Sequence, residues 1–269
     1  MPSDTMSQSG PGDTSAEDLV TFDQFILLGD SITQNASNQE DGFGFVPALA
    51  HDYARRLDVI NRGFSGYTTA NIRLIYPQFF PPPHVARVRF LLLFVGANDS
   101  VVDRTSRHHV SIDDYKANLE HIVNHPVTRL QNPKIILVTP PPICEYQQTQ
   151  VDKEKGFSFL RRRSENTKKY AEACLDVASR MNLVGVDIWS AFMREAGWEE
   201  GQTLEGSLEA PKNEILQRLL YDGLHLTANG YRLLYKEVTD AIRQNFPDQT
   251  PENLPMIFSG WENAPRYDD

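Results

Sequence analysis

The chain has little of several residue types, and each shortage excludes a class of protein. Its two cysteines, Cys144 and Cys174, are too few and too far apart for a disulfide framework or a cysteine-based metal site. Lysine and arginine number 26 against 36 acidic residues, so the formal charge is −10 and the basic surface that nucleic acids require is missing. The longest apolar run, residues 90–95, has the length of a strand and not of a membrane span. We therefore expect no nucleic-acid partner and no integral membrane association.

The first 20 residues contain few apolar side chains and many Ser, Asp, Gly and Thr. Such a segment has little to bury, so residues 1–20 are predicted to be a disordered tail. They lack the basic start and apolar run of a secretory signal, and a cytoplasmic location is expected. The length and the 40% hydrophobic content fit one domain, predicted at residues 21–246. Residues 247–269 are predicted to be an extended tail whose aromatic side chains pack on the surface.

Apolar runs of strand length alternate with amphipathic stretches of helix length. Strands are predicted at residues 25–30, 58–63, 89–99, 134–140 and 182–188. Helices are predicted within 42–57, after Ser111, at 158–181 and at 227–246. The proline-rich segments 81–87 and 141–149 are predicted loops. This alternation indicates right-handed βαβ units, and hence an α/β fold with a mainly parallel five-stranded sheet between layers of helices.

Polar motifs follow three predicted strands, and a fourth motif precedes the last helix. Residues 29–33 (GDSIT) follow the first strand, Gly66 lies in the loop after the second, and Asn98 lies in GAND at the end of the third. Asp222 and His225, in DGLH, come just before the final helix. Loops at the carboxyl ends of parallel strands converge on one rim of the sheet, so the fold can bring these residues together.

These residue types meet the requirements of acyl transfer. A serine hydroxyl needs a base within hydrogen-bond reach, and the base needs a third group to orient it. Ser31, His225 and Asp222 can fill these three catalytic roles. The tetrahedral intermediate also needs donors to its oxyanion, and the candidates are the backbone N–H groups of Ser31 and Gly66 and the side-chain amide of Asn98. The sequence therefore predicts a serine hydrolase.

The four motifs resemble the sequence blocks of the SGNH, or GDSL, hydrolase superfamily. Residues 29–33 resemble the GDSL block, Gly66 the glycine block, residues 96–99 the GxND block and residues 222–225 the DxxH block, in the order of the family. The first block departs from its name in the two residues after the serine, which supply no catalytic atoms. The resemblance covers about residues 22–245. It implies a three-layer α/β/α sandwich of flavodoxin-like topology, with no cofactor and no metal.

Within the superfamily, the chain is similar to the isoamyl-acetate-hydrolysing esterase branch. The similar segments are GDSIT, GFGF, NRGFSGYTT, GANDS and DGLHLTANGY. This branch implies a small-molecule substrate, a short-chain acetyl-type carboxylic ester, hydrolysed through an acyl-enzyme intermediate. Three alternatives stay open: a thioesterase or lysophospholipase with the same triad, a metal-dependent phosphoesterase, and a binding module that kept the fold without activity. Whether the chain forms a homo-oligomer also stays open.

Several charged residues near the motifs are predicted to have structural roles. Asp30 and Asp99 are expected to hold loop backbone by accepting N–H bonds. The histidine pair at 108–109 is predicted to lie in a solvated loop, and Arg161–Arg163 on the solvated face of a helix. The insertion at 198–218 is a candidate lid over the site.

Overall fold

A five-stranded parallel sheet runs through the fold. The computed structural model describes residues 20–266, so residues 1–19 of the predicted N-terminal tail and residues 267–269 of the C-terminal tail lie outside it. The strands are β1 (Asp23–Gly29), β2 (Leu57–Gly63), β3 (Val88–Phe94), β4 (Lys134–Val138) and β5 (Val184–Val186). They lie in the order β2-β1-β3-β4-β5, and every neighbouring pair is parallel. The predicted α/β class and sheet are confirmed.

Helices cover both faces of this sheet. Within residues 20–266 they are α1 (Ser31–Asn35), α2 (Phe45–Asp52), α3 (Thr69–Ile75), α4 (Ile112–Asn124), α5 (Pro126–Gln131), α6 (Glu145–Glu154), α7 (Ser164–Arg180), α8 (Ile188–Glu195), α9 (Glu214–Leu219) and α10 (Ala228–Asn245). Short 3₁₀ turns lie at Tyr76–Gln78, Pro247–Gln249 and Trp261–Asn263. Across residues 20–266, none of the helices combines the length and the apolar character that crossing a bilayer requires.

The three inner strands, β1, β3 and β4, are apolar on both faces because each face is buried under helices. On β3, Phe90, Leu92 and Phe94 point into a core shared with α2, α8 and α10. Leu91 and Leu93 point to the other side, into a core shared with α3, α4 and α7. The result is the three-layer α/β/α sandwich with the flavodoxin-like strand order.

Side-chain caps explain where two of the predicted helices begin. The hydroxyl of Ser111 accepts the N–H of Asp114 at 3.1 Å, which starts α4. The hydroxyl of Thr227 accepts the N–H of Gly230 at 3.3 Å, which starts α10 directly after the DGLH motif. This cap fixes where the chain leaves the motif and enters the helix.

Several predicted segments have boundaries that differ from the structure. The strand predicted at 89–99 ends at Phe94. The loop predicted at 141–149 ends early, because its prolines stop at Pro142 and α6 begins at Glu145. The helix predicted at 158–181 begins late, at Ser164. The residues from 155 to 163 instead form an irregular connection between α6 and α7.

The predicted solvated face at Arg161–Arg163 is wrong for two of its three residues. All three precede α7, and Arg161 and Arg162 are buried. The Nε of Arg161 donates to Asp152 Oδ1 at 2.9 Å, which compensates its charge. Arg162 instead reaches the loop that follows β3. Only the side chain of Arg163 is exposed, at 51%.

The C-terminal segment is held by hydrogen bonds to backbone carbonyls, and Phe258, one of its aromatic residues, packs with its ring centroid 6.3 Å from that of Phe22. The Nε of Arg56 donates to the carbonyl of Leu254 at 3.0 Å, and the N–H of Ile257 donates to the carbonyl of Arg55 at 3.0 Å. Leu254 is buried, whereas Trp261 is 83% exposed. The prediction that the aromatic residues of this tail pack on the surface is therefore wrong for Trp261.

The insertion at 198–218, a candidate lid, is bound to the start of α6. The N–H of Glu145 donates to the carbonyl of Gly206 at 2.7 Å, and the hydroxyl of Tyr146 donates to the carbonyl of Ala210 at 2.7 Å. Asn213 then caps α9 by accepting the N–H of Leu216. The contacts of Gly206 and Ala210 attach the middle of the insertion to α6.

Candidate active site

Ser31 lies at the carboxyl end of β1, between the ends of two neighbouring strands. In the sheet register, Gly29 at the end of β1 pairs with Gly63 on one side and Phe94 on the other. Helix α1 starts at Ser31 because the Asp30 carboxylate accepts the N–H of Ile32 at 2.9 Å. A side chain at Gly29 would overlap the carbonyl oxygen of Phe94, so glycine is needed for the strand end and the α1 turn to pack this closely.

Ser31, His225 and Asp222 form one chain of hydrogen bonds. The Oγ of Ser31 lies 2.8 Å from His225 Nε2, although the two residues are 194 positions apart. On the other side of the ring, His225 Nδ1 lies 2.7 Å from Asp222 Oδ2. A carboxylate can only accept, so it holds the ring proton on Nδ1 and leaves Nε2 to accept the Ser31 proton. The imidazole is therefore oriented as a base toward the hydroxyl.

The two carboxylate oxygens of Asp222 have separate partners. Oδ2 faces the His225 ring, whereas Oδ1 accepts the backbone N–H groups of Leu224 at 2.9 Å and His225 at 2.8 Å. Burial acts to raise the pKa of Asp222, but the hydrogen bonds from the side chain and backbone of His225 outweigh it, and the pKa is lowered overall. The group is therefore ionised at neutral pH.

The loop that carries Asp222 and His225 is fixed to the beginning of α6. The N–H of Cys144 donates to the carbonyl of Gly223 at 2.9 Å, and the side-chain amide of Gln148 donates to the carbonyl of Asp222 at 2.9 Å. The ring of Tyr221 stacks on the His225 imidazole, with centroids 5.5 Å apart and an interplanar angle of 16°. Contacts on both sides thus restrict how far the imidazole can turn.

Gly66 and Asn98 lie in the loops after β2 and β3, the two strands that flank β1. Gly66 has φ +79°, in the left-handed region that favours glycine. The Nδ2 of Asn98 donates to the carbonyl of Tyr67 at 3.0 Å, which ties the two loops together. An amide nitrogen has two hydrogens, so this bond leaves one N–H of Asn98 for another acceptor.

Asp30 and Asp99 are buried and bind backbone, as predicted. Asp99 accepts the N–H of Thr69 at 3.0 Å and also its hydroxyl, and so anchors the start of α3. Burial raises the pKa of Asp99 to about 7, although the hydrogen bonds from Thr69 act in the opposite direction. Burial likewise raises the pKa of Asp30 to about 6, opposed chiefly by the N–H of Ile32.

Arg162, which was not predicted as a site residue, reaches Asn98. The Nη2 of Arg162 donates to Asn98 Oδ1 at 3.1 Å, and only 5% of the arginine is exposed. Its place in a run of three arginines resembles a solvated patch, and no local pattern distinguishes it from Arg163.

His108 lies in a loop, as predicted, but its ring is half-buried beside Gly66. A methyl group added at Gly66 would lie 3.8 Å from His108 Nε2. Burial lowers the pKa of His108, and the nearby cations Arg162, Arg161 and Lys155 lower it further. The imidazole is therefore neutral at neutral pH, next to one of the candidate oxyanion donors.

Comparisons with known proteins agree with this architecture. The family model for the GDSL-like Lipase/Acylhydrolase family matches residues 27–233. A GDSL esterase/lipase of Arabidopsis thaliana is 32% identical over 241 residues, which are 87% of this chain and 90% of that protein. The isoamyl acetate-hydrolyzing esterase 1 homolog of Rattus norvegicus is 32% identical over 243 residues, 89% of this chain and 87% of that protein.

A solved structure is similar in fold. The lipase/acylhydrolase from Enterococcus faecalis has a TM-score of 0.58 at 22% sequence identity, and the match covers 83% of this chain and 96% of that chain. The likeness extends over most of both molecules. All five residues predicted for the site lie within the range that the family model matches.

Proposed function

The chain belongs to the GDSL-like lipase/acylhydrolase family, the SGNH hydrolases, and is a carboxylic ester hydrolase; from this premise we propose that it is a serine esterase that cleaves short-chain, acetyl-type esters through an acyl-enzyme intermediate. The observation that carries the proposal is the hydrogen-bonded chain from Ser31 through His225 to Asp222. Each member has the partner that its proposed role requires.

In the proposed first step, His225 Nε2 removes the proton of Ser31 as Oγ attacks the ester carbonyl carbon. The carbonyl oxygen becomes an oxyanion, and Asp222 stabilises the imidazolium that forms. The intermediate collapses as His225 returns the proton to the leaving alkoxide, so an alcohol departs and the acyl group stays on Ser31. Water then attacks the acyl-enzyme with His225 as base, and the carboxylic acid is released.

Three donors are proposed to hold the oxyanion: the backbone N–H groups of Ser31 and Gly66 and the free N–H of the Asn98 amide. The order β2-β1-β3 supports this assignment, because it puts the Gly66 loop on one side of Ser31 and the Asn98 loop on the other. The bond from Asn98 to the carbonyl of Tyr67 further supports it, since it fixes the two loops relative to each other. Fixed donors stabilise developing charge without reorganising.

The acetyl preference is proposed from similarity. The rat relative is named for hydrolysis of isoamyl acetate, and its identity of 32% extends over 89% of this chain. A chain-length series of p-nitrophenyl esters tests it, with kcat/KM expected to be highest for acetate to butyrate and to fall for octanoate and laurate. Highest activity on laurate would contradict the proposal and favour the thioesterase or lysophospholipase alternative.

Fluorophosphonate labelling tests the nucleophile. Wild-type protein should be labelled at Ser31 and the Ser31→Ala variant should not, with activity on p-nitrophenyl acetate lost in parallel. The same assay with a chelator separates the metal-dependent alternative, which would lose activity. Among residues 20–266 no group of three or more His, Cys, Asp or Glu side chains is placed to hold a metal ion. Labelling of Ser31→Ala at the wild-type rate would contradict the assignment.

A further inference from the structure

Arg162 is a buried arginine whose guanidinium contacts the loop after β3. Its Nη2 donates to Asn98 Oδ1 at 3.1 Å, and its Nε lies 3.4 Å from the carbonyl oxygen of Ala97. On the other side its Nη1 lies 3.5 Å from Gln148 Oε1. Gln148 in turn donates to the carbonyl of Asp222. The guanidinium therefore connects the Asn98 loop with the helix that fixes the Asp222 loop.

We propose that Arg162 is a positioning residue of the oxyanion site, which fixes the orientation of the Asn98 amide and adds positive charge behind it. The inference rests on the proposed function, because it takes Asn98 as an oxyanion donor. Arg162 itself contacts no reacting atom in this scheme and acts only through Asn98.

The hydrogen-bond chemistry of the two side chains supports this role. An amide can turn over and exchange its oxygen and nitrogen at little cost when nothing distinguishes them. A guanidinium has donors and no acceptor, so it can bind only Oδ1 of Asn98 and forces Nδ2 to the opposite side. There Nδ2 meets the carbonyl of Tyr67 and keeps one N–H free. A charged donor also polarises the amide and makes its N–H groups stronger donors.

The partners of Arg162 distinguish it from a structural arginine. Within residues 20–266, the acceptors in contact with its guanidinium are a side-chain amide oxygen of Asn98, another of Gln148 and the backbone oxygen of Ala97, all of them neutral. Its neighbour Arg161 is equally enclosed, yet that arginine has the carboxylate of Asp152 as its partner. The carboxylates of Asp152, Asp30 and Asp222 favour its charge electrostatically, whereas the groups that it binds are the Asn98 loop and Gln148.

The guanidinium of Arg162 is charged at neutral pH. Burial and the neighbouring Arg161 lower the pKa of Arg162, whereas Asp152, Asp30 and Asp222 act to raise it, and the result is a pKa of about 10. At neutral pH the side chain is therefore protonated. Its positive charge lies one hydrogen bond behind the amide that would face the oxyanion.

The test compares kcat and KM for p-nitrophenyl acetate in Arg162→Gln and Arg162→Lys with Arg163→Gln as the matched control. Arg163→Gln neutralises the adjacent, half-exposed arginine and should leave kcat unchanged. Arg162→Gln should lower kcat by about 10- to 100-fold, somewhat less than loss of an oxyanion donor, with KM within about threefold. Arg162→Lys keeps the charge but not the planar fork, so its loss should be smaller, about three- to tenfold.

A double-mutant cycle separates positioning from support of the fold. If Arg162 acts through Asn98, then either Arg162 substitution should change kcat by less than about threefold when Asn98 is already alanine. If Arg162 only supported the fold, its substitution would lower kcat by the same factor in the wild-type and Asn98→Ala backgrounds. Circular dichroism and thermal unfolding show which variants fold. If Arg162→Gln does not fold, the cycle is measured with Arg162→Lys.

The outcomes separate this inference from the proposed function. If the wild-type protein shows no ester hydrolysis that depends on Ser31, the proposed function fails and the inference fails with it. If hydrolysis depends on Ser31 but the folded Arg162 variants keep kcat within threefold, only the inference is overturned. Equal losses in the wild-type and Asn98→Ala backgrounds would also overturn it.

Discussion

Asp222→Asn should inactivate the enzyme while preserving its fold, for a reason that the hydrogen bonds of Asp222 make specific. Oδ1 accepts two backbone N–H groups, from Leu224 and His225. An asparagine must keep its oxygen at that position, because turning the amide over would bring three donors together. Its Nδ2 then replaces Oδ2 and donates toward His225 Nδ1.

That reversal moves the proton on the imidazole. A nitrogen that accepts a hydrogen bond carries no proton, so the ring proton must shift from Nδ1 to Nε2. Nε2 lies 2.8 Å from the Ser31 hydroxyl and would become a donor, unable to take the proton of the attacking oxygen. In a serine triad, holding the wrong tautomer costs about 10⁴ in kcat, which corresponds to about 5.5 kcal/mol of transition-state stabilisation.

The assay is the initial rate of p-nitrophenyl acetate hydrolysis at neutral pH for wild type and Asp222→Asn, together with thermal unfolding. Both backbone bonds to Oδ1 survive in the variant, so its melting temperature should stay within a few degrees of the wild type. Asp222→Ala is the comparison, since it removes those bonds as well and should lower the melting temperature more. A folded Asp222→Asn enzyme with more than a tenth of wild-type kcat would refute the tautomer argument.

Three further predictions concern the neighbouring residues. Ser31→Ala should lower kcat by several orders of magnitude, up to about 10⁶, without unfolding the chain, and measurable turnover at wild-type rate would point to a different nucleophile. Asn98→Ala should cost about 3 kcal/mol of transition-state stabilisation, seen as a loss in kcat/KM of about a hundredfold or more; an effect on KM alone would argue against an oxyanion role. Asp99→Asn should change the pH dependence of stability, because the pKa of Asp99 rises from 3.8 to about 7 on folding. Between these two values the folded chain binds more protons than the unfolded chain. The Asp99 contribution to the free energy of unfolding therefore falls as pH increases from about 4 to about 7. Urea unfolding of the variant at pH 4, 5.5 and 7 should show a shallower fall, and an unchanged slope would mean that Asp99 is not the group that titrates.

The sheet could be predicted from the sequence because the signals for it are local. A run such as FLLLF at residues 90–94 is apolar at every position, which indicates a strand buried on both faces, and the structure has Phe90 and Leu91 in opposite cores. The beginning of α10 could be predicted for a similar reason, since Thr227 caps it within one turn. In both cases the contacts that decide the structure lie within a few residues.

The contact between Ser31 and His225 spans 194 positions and still could be expected. It depends on topology and not on a local pattern, because parallel strands deliver the loops after their carboxyl ends to a common rim. The sequence supplied the motif order, and the strand order placed the loop of each flanking strand beside β1. The motifs do not indicate which residues hold their loops in place, such as Gln148, which donates to the backbone carbonyl of Asp222.

The burial of Arg162 shows why that support could not be predicted. In isolation the three arginines at 161–163 are equivalent, and charge patterning favours solvent for all of them. Their environments differ because their partners lie in different elements. Arg161 binds Asp152 in α6, and Arg162 binds Asn98 after β3, 64 positions away. Arg163 pairs with Glu145 and stays half-exposed. An ionisable residue becomes buried when its partners offer enough hydrogen bonds, and those partners exist only once the sheet and helices have formed. The residues proposed to contact the substrate are therefore recognisable from motifs, whereas those proposed to orient them have to be identified from the assembled contacts.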